Sequence, residues 1–390
     1  MKILSIETSC DETALALLDI YGEPEDLHIS SRAAVTLSQI DIHKEYGGVF
    51  PALAKREHAK NIIPLLEQTL KNADDFSSDT RDYQHLSDTF SDIFSHEKGL
   101  ADRTLAFLES TAPPSIDAVA VTYGPGLEPA LWVGLNIAKA LSLAWNVPLV
   151  PVDHIEGHIA SALFDPKENK SLPSPAMPSL ALIISGGHTE FVSFSKWGSY
   201  SYLGGTVDDA VGEAYDKVAR MLDLPYPGGP PLSRLASVWR KKNKENPFTF
   251  PRPMKDAPNL DLSFSGLKTS VLYAVRNREL TDEDKEAVAA AFEDAVADVL
   301  LHKTKKALEY SGARSCIVCG GVSANMFLRE QFEKLEKETS VSLHIPDVTL
   351  STDNATMIAI AGYIQHEREG GLSAPYELIP LRVNGNAGLE

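Results

Sequence analysis

The chain has 390 residues, 43% hydrophobic and 23% charged, a soluble globular composition too long for one ordinary core, so two lobes are expected. Its 36 basic residues face 54 acidic ones, a net charge of −18. That is the wrong sign for a chain that binds nucleic acid unaided, so a polyanionic partner must meet a local basic patch or arrive with another protein. No apolar run approaches a membrane span, and the opening Met-Lys-Ile-Leu-Ser-Ile breaks at Glu7, too soon for a signal peptide; both absences point to the cytoplasm. The three cysteines, Cys10, Cys316 and Cys319, have no disulfide-framework spacing. Cys316 and Cys319 lie in a predicted strand, on opposite faces, and read as core residues rather than a redox or zinc pair.

Two apolar runs, 2–6 and 14–18, predict a hairpin whose turn, Glu7 to Thr13, carries the adjacent carboxylates Asp11 and Glu12. A loop at 46–51 precedes a helix from about Pro51 to Lys71, with Arg56, His58 and Lys60 at its polar positions. From about 72 to 115 the hydrophobics are scattered, and over 71–110 four basic residues face nine acidic ones, which predicts a peripheral, partly helical insertion. A strand at 116–122, the turn Gly124-Pro125-Gly126 and a helix from Glu128 to Trp145 form an arrangement that offers backbone amides to an anion.

A strand at 148–152 then leads into Asp153-His154-Ile155-Glu156-Gly157-His158. Histidines four apart on a helix share one face, as two ligands of one divalent metal do; the alternative is a pair of half-buried helix histidines.

The second half repeats the plan. Strands at 180–185 and 191–194 flank the polar turn Gly186 to Glu190, and a strand at 315–319 enters Gly320-Gly321 and a helix to about Glu338. This is a duplication of architecture, and two such lobes facing each other would set four polar loops around one cleft. Between these elements lie a helix at 208–222, the rigid loop Tyr226 to Pro231, loop-like stretches at 250–254 and 262–269, and a long helix from 282 to 310. Arg240-Lys241-Lys242-Asn243-Lys244, with Arg252, Lys255 and Lys268 behind it, is a basic patch that by itself reads as a solvated helix end. Ser351-Thr352-Asp353-Asn354 caps a last apolar helix, and Asp353 is either that cap or a third metal ligand. The expected division is 1–150 for the first lobe, 151–352 for the second, and 353–390 for a C-terminal helix and tail packing back near the first lobe.

The motifs Glu7-Thr8-Ser9-Cys10-Asp11-Glu12-Thr13, Tyr46-Gly47-Gly48-Val49, Gly124-Pro125-Gly126-Leu127, His154-Ile155-Glu156-Gly157-His158, Ser185-Gly186-Gly187-His188-Thr189, Glu213-Ala214-Tyr215-Asp216-Lys217, Tyr226-Pro227-Gly228-Gly229-Pro230, Phe264-Ser265-Gly266-Leu267-Lys268-Thr269, Gly320-Gly321-Val322-Ser323-Ala324-Asn325 and Thr352-Asp353-Asn354 occur in this order. Together they resemble the TsaD family, the transferases that make threonylcarbamoyladenosine in tRNA, across nearly the whole chain apart from 72–115. Gly47-Gly48-Val49-Phe50-Pro51 and Phe250-Pro251-Arg252-Pro253-Met254 are similar to the bacterial branch.

The resemblance implies an α/β fold of two duplicated actin/Hsp70-like (ASKHA, RNase H-like) lobes. It implies one divalent metal, iron(II) ahead of zinc or magnesium, on His154, His158 and Asp353. It also implies a threonylcarbamoyl-AMP site at Ile183, Ile184, Ser185, Gly186, Gly187, Asp216, Gly229 and Asn325. The implied reaction is attack by the exocyclic amine of adenosine 37, in tRNAs reading codons that begin with A, on the carbamoyl carbonyl, with AMP leaving. Asp11 and Glu12 match the family's acidic motif and are assigned to ordering that amine or managing its proton. The implied partners are tRNA, a paralogous TsaB-type subunit and a TsaE-type ATPase, with no membrane. Family members often carry His-His before the histidine motif, and here the first of those positions is Asp153.

Three rivals make distinct demands. A zinc peptidase motif is HExxH, whereas Glu156 is two residues past His154, turned about 200° away on a helix. An ATP-dependent small-molecule kinase of the same fold has no use for the two histidines, and a non-catalytic binding protein would tolerate loss of His154.

Overall fold

Strand β1 (Lys2–Glu7) is buried beyond its first residue and pairs antiparallel with β2 (Glu12–Tyr21) in the register Lys2↔Asp19 to Glu7↔Ala14. The apolar runs thus form the predicted hairpin, with the acidic turn at its tip. An unforeseen third strand, β3 (His28–Ser38), pairs with β2 at the sheet edge. Its Ser, Arg and Thr residues leave no apolar run, because much of it faces solvent. After α1 (Ile40–His43), Pro51 opens α2 (Pro51–Asn72) from a first-turn position, where its missing N–H has no intrahelical partner to lose. Helices α3 (Ser87–Ile93) and α4 (Lys98–Ser110) follow. Strand β4 (Ala118–Gly124) joins β1 in parallel; α5 (Glu128–Trp145) leads to β5 (Leu149–Asp153), parallel to β4, and then to α6 (His154–Ala160). The five-stranded sheet has the order β3-β2-β1-β4-β5, and β6 (Phe164–Asp165) and β7 (Lys170–Ser171) form a separate small pair.

The segment expected to be peripheral contributes to this core. Tyr83, Phe90, Phe94, Leu100, Phe107 and Leu108 are buried in one cluster with Ile62 and Leu66 of α2 and Leu135 of α5. The short helices gather aromatic residues that look scattered in sequence.

The second sheet has the same plan. β8 (Ser179–Ile184), β9 (Thr189–Phe194) and β10 (Tyr200–Gly205) form an antiparallel meander. Helices α7 (Val211–Met221), α8 (Gly229–Lys241), α9 (Ser265–Val275) and α10 (Asp282–Ser311) precede β11 (Ser315–Cys319), and α11 (Met326–Thr339) precedes β12 (Ser342–His344) and α12 (Val348–Ser351). The order is β10-β9-β8-β11-β12, with β11 parallel to both β8 and β12. The duplicated α/β architecture is therefore present strand for strand. Helix α10 starts at a Thr281–Asp284 capping box and stops at Gly312, whose φ is +63°. The stretch read as a loop at 262–269 begins α9 instead, and the carboxylate of Asp208 accepts from the amides of Phe264 and Ser265 at its start. A cap supplied from 56 residues away leaves no local signature. Cys316 and Cys319 are both buried, as fits a strand covered on both faces.

The structure, a computed structural model, describes residues 1–95, 97–371 and 380–389; the remainder of the expected C-terminal tail lies outside the described residues. The chain divides into Met1–Ser174 with Asp353–Leu389, and Pro175–Thr352. The first boundary falls after Ser174 rather than at 150, because β5 completes the first sheet and α6 packs on α13 (Ala355–Arg368). Helix α13 also packs on β1, β2 and β5. A side chain at Gly157 would come within 2.9 Å of Ile358 Cδ1, so glycine there permits the close crossing of α6 and α13.

Phe94→Ala should destabilise the first unit by about 3–5 kcal/mol, read as an earlier urea transition. A loss under about 1 kcal/mol would return 80–97 to the periphery.

Candidate metal centre

Helix α6 begins at His154 because Asp153 caps it: Asp153 Oδ1 accepts from Ile155 N at 2.7 Å and Glu156 N at 3.2 Å. The departure at position 153 therefore supplies a helix cap. The cap starts the helix so that His154 and His158 lie one turn apart, ring centroids 4.7 Å apart and planes at 81°. Asp353 stands just before Asn354, and Asn354 is the residue that caps α13, its Oδ1 accepting from Met357 N at 3.0 Å. The Asp353 carboxylate is therefore not spent on the cap. Asp353 Oδ1 lies 3.4 Å from His154 Nε2 and 3.2 Å from His158 Nε2.

The donor set fits a divalent cation. Two ligand atoms about 2.1 Å from one tetrahedral ion stand about 3.4 Å apart, and the three candidate ligand atoms all lie within 4.8 Å of one another. His158 is 1% exposed, and neither ring nitrogen has a hydrogen-bond partner among the described residues; the approach to Asp353 is close but poorly directed for a hydrogen bond. A buried imidazole nitrogen with no partner is costly unless something else binds it. His154 is oriented from behind, with Nδ1 3.1 Å from Glu7 Oε2 and 3.2 Å from Ser9 Oγ, an outer layer that leaves Nε2 for the ion.

Electrostatics point the same way. Burial disfavours the charged ring of His154, yet the carboxylates of Asp353 and Glu7 outweigh it and hold the imidazole well above its ordinary range. Burial would raise Glu7 and Asp353, but His154 holds both below the usual carboxylate range. The carboxylates of this cluster thus favour positive charge beside them, the sign of charge a divalent cation would carry.

Asp11 and Glu12 share this field. Half-buried Glu12 is pushed up to about 10 by burial first, then by the charges of Asp353 and Asp11. The Cys10 thiol is driven well up by burial and the carboxylates of Asp11, Asp353 and Glu12. This turn is anchored by residues to which the sequence reading gave no role at the site. His58 Nε2 meets Cys10 O at 3.0 Å, His58 Nδ1 meets Thr13 Oγ1 at 2.8 Å, and Gln39 N donates to Asp11 O at 2.9 Å. His58, expected on a polar position of α2, is 0% exposed, because its partners lie on the turn rather than in solvent.

In the second unit, Ile183 and Ile184 are wholly buried in β8, so their side chains belong to the core. Ser185 Oγ accepts from the amides of Gly187 and His188, and nothing lies within 4 Å of a side chain placed at Gly186, Gly187, Gly229 or Gly321. Gly212 N donates to Ser185 O at 3.1 Å, and a Cβ on Gly320, at φ +89°, would sit 2.6 Å from Ile184 O. These contacts bring the 185–187 turn, the start of α7 and the 320–321 turn together. Asp216 is raised by burial against the opposing pull of the Gly228 and Gly229 amides, and its Oδ1 accepts from Gly228 N at 2.6 Å, fixing the loop that opens α8. Asn325 caps α11 through Oδ1 and donates Nδ2 to Glu293, so both ends of its amide are engaged.

One further expectation changes. The amides of the Gly124-Pro125-Gly126 turn serve the chain itself: Gly126 N donates to Gly385 O and Leu127 N to Ser9 O, while Asn384 N donates to Tyr123 O. In the basic patch, Arg240, Lys242, Lys244, Arg252 and Lys268 are all ion-paired with carboxylates. Glu156, the residue a peptidase reading would need, is turned to Arg368, 3.5 Å away.

Glu7→Gln should weaken divalent-metal binding about 10–100-fold, measured by competition with a chelator, with the far-ultraviolet spectrum unchanged. An unaltered affinity would show that Glu7 does not orient His154.

The sequence pattern of the family described as TsaD, tRNA N6-adenosine threonylcarbamoyltransferase, matches residues 31–79 and 98–360. The match breaks at 80–97, inside the acidic segment. Among solved structures, the full-length HypF in its phosphate- and nucleotide-bound form is 12% identical with a TM-score of 0.52, covering 96% of this chain and 47% of its own. The activator of 2-hydroxyisocaproyl-CoA dehydratase from Clostridium difficile with bound ADPNP is 12% identical with a TM-score of 0.46, covering 95% of this chain and 97% of its own. At such identity the likeness to HypF concerns the fold alone, and with the repeated strand order it gives the actin/Hsp70-like architecture.

Proposed function

The chain belongs to the TsaD family of tRNA N6-adenosine threonylcarbamoyltransferases, and from that membership we propose that it moves the threonylcarbamoyl group from threonylcarbamoyl-AMP to adenosine 37 of tRNAs reading codons that begin with A. The observation that carries the reading is the family match, which runs through the metal-centre residues and all the second-unit residues of the site. In the reaction, the exocyclic nitrogen forms a bond to the carbamoyl carbon, the bond from that carbon to the phosphate oxygen breaks, AMP leaves, and the amine gives up a proton.

We assign residues as follows. His154, His158 and Asp353 hold one divalent metal; two imidazoles and one carboxylate suit iron or zinc better than magnesium, and iron(II) is our choice. When bound, the metal would supply positive charge and Lewis acidity at that centre. The backbone of Ser185, Gly186 and Gly187, reached through Ile183 and Ile184, and the backbone at Gly229 approach the adenylate where no side chain intervenes. Asp216 holds the Gly228–Gly229 turn in place, and Asn325 shapes the Gly320–Asn325 turn. Asp11 and Glu12 order the reacting amine and its proton; they precede the matched region, so their roles rest on the acidic motif itself and, for Glu12, on the influence of the Asp353 charge. The paired state of the basic patch favours tRNA capture shared with a paralogous TsaB-type subunit, alongside a TsaE-type ATPase. A cytoplasmic site of action accords with the finding that, among the described residues, no helix is long and apolar enough to cross a membrane.

The test is reconstitution of the full chain with threonylcarbamoyl-AMP and unmodified tRNA, with and without the partner subunits, read by nucleoside mass spectrometry. Threonylcarbamoyladenosine should form, and Asp353→Ala should reduce its rate by at least about 100-fold. Absence of the nucleoside in every combination, or full activity of Asp353→Ala, would refute the proposal.

A further inference from the structure

The second unit contains a buried carboxylate that the roles above leave unused. Glu293, on α10, is 0% exposed. Its Oε2 accepts from Arg240 Nη1 at 2.6 Å, and its Oε1 accepts from Asn325 Nδ2 at 2.7 Å. Arg240 also donates to Asp294 Oδ1 at 2.6 Å, and its guanidinium lies 3.4 Å from the centre of the Phe327 ring. The Tyr215 hydroxyl of α7 is 3.4 Å from Glu293 Oε1. One carboxylate thus joins α7, α8, α10 and the start of α11.

The consequence falls on Asn325. Its Oδ1 receives the amides of Phe327 and Leu328, and its Nδ2 is committed to Glu293. Flipped, the amide would present NH2 to two N–H donors and oxygen to a carboxylate, so only one orientation is compatible with its surroundings. Asn325 N closes the turn onto Val322 O at 3.0 Å, and Gly320 at the head of that turn packs against the Ile184 backbone. The orientation of one amide therefore sets the turn whose Gly321 faces open space.

We propose that Glu293 is a positioning residue of the donor site: acting through Asn325, it holds the Gly320–Asn325 turn in its adenylate-binding shape, and Arg240 completes the carboxylate's coordination. This rests on the reading of the second unit as the adenylate-binding half. Arg240 cannot be replaced by a neutral side chain without leaving a buried carboxylate oxygen uncompensated. Glu293 cannot become glutamine without setting an NH2 group against either Arg240 or Asn325, donors both.

The experiment uses the full chain with its partner subunits and two readouts: calorimetric titration with AMP as the probe, and steady-state transfer kinetics. Glu293→Gln should weaken AMP binding and raise the KM for threonylcarbamoyl-AMP about tenfold, with kcat and the KM for tRNA at wild-type levels. In Glu293→Gln/Arg240→Met the facing donor is gone, so AMP affinity should recover in part, a non-additive result. A structural role alone would lower the melting temperature and leave AMP affinity and donor KM unchanged, overturning the proposal. Should Glu293→Gln fail to fold, Arg240→Met alone decides: a raised donor KM supports the positioning role and an unaltered one overturns it. A wild-type chain that binds AMP yet makes no modified nucleoside would contradict the transferase reading, while the AMP titrations still judge Glu293.

Discussion

One carboxylate oxygen, Asp353 Oδ1, lies within 3.4 Å of two imidazole nitrogens, and much of the first unit is arranged to make that possible. Buried charge is tolerated only when opposite charge or directed donors compensate it. Here Glu7 and Asp353 carry negative charge beside two rings, one held toward its protonated form and one held neutral by burial. Two neighbouring side chains fix the geometry without entering it. Asp153 starts one helix at the residue that brings its histidines into line, and Asn354 starts another while leaving Asp353 free. The crossing at Gly157 then holds the two helices in contact.

The two halves share a sheet order but not a chemistry. In the first, the amides of the glycine turn before α5 are occupied by Ser9 and by the chain's own C-terminal segment, and the polar hairpin tip carries carboxylates. In the second, the equivalent hairpin tip and glycine turn keep open faces at Gly186, Gly187 and Gly321. Duplication supplied one scaffold, and occupation of the backbone amides separated the uses. Under the proposed function this division is economical: acids and metal ligands lie in one unit, and loops suited to an adenylate in the other.

The acidic surface belongs to the same picture. Most of the cations of the 240–268 basic patch are engaged with Glu283, Glu286, Glu293, Asp294, Asp298 or Asp209. Arg240 in particular is half-buried, stacked on Phe327 and bound to a fully buried carboxylate. Its role is to shape a loop, and a tally of positive residues cannot distinguish that from a docking surface.

By itself the sequence determined what local physics controls. Apolar runs specified the hairpins and α5, the i, i+4 spacing put His154 and His158 on one face, and a duplicated order of elements is legible in the sequence. Tertiary structure decided whatever depended on partners distant in the chain. Phe90 and Phe94 became core because other elements cover them; α9 formed where Asp208 reached its first amides; His58 turned inward to hold the acidic turn. Asp353 reached the histidines because its neighbour took the cap, and the boundary moved to Ser174 because β5 pairs with β4. Spacing along a chain fixes only what lies within a helical turn or a strand pair; which distant donor meets which acceptor is settled when the backbone closes on itself.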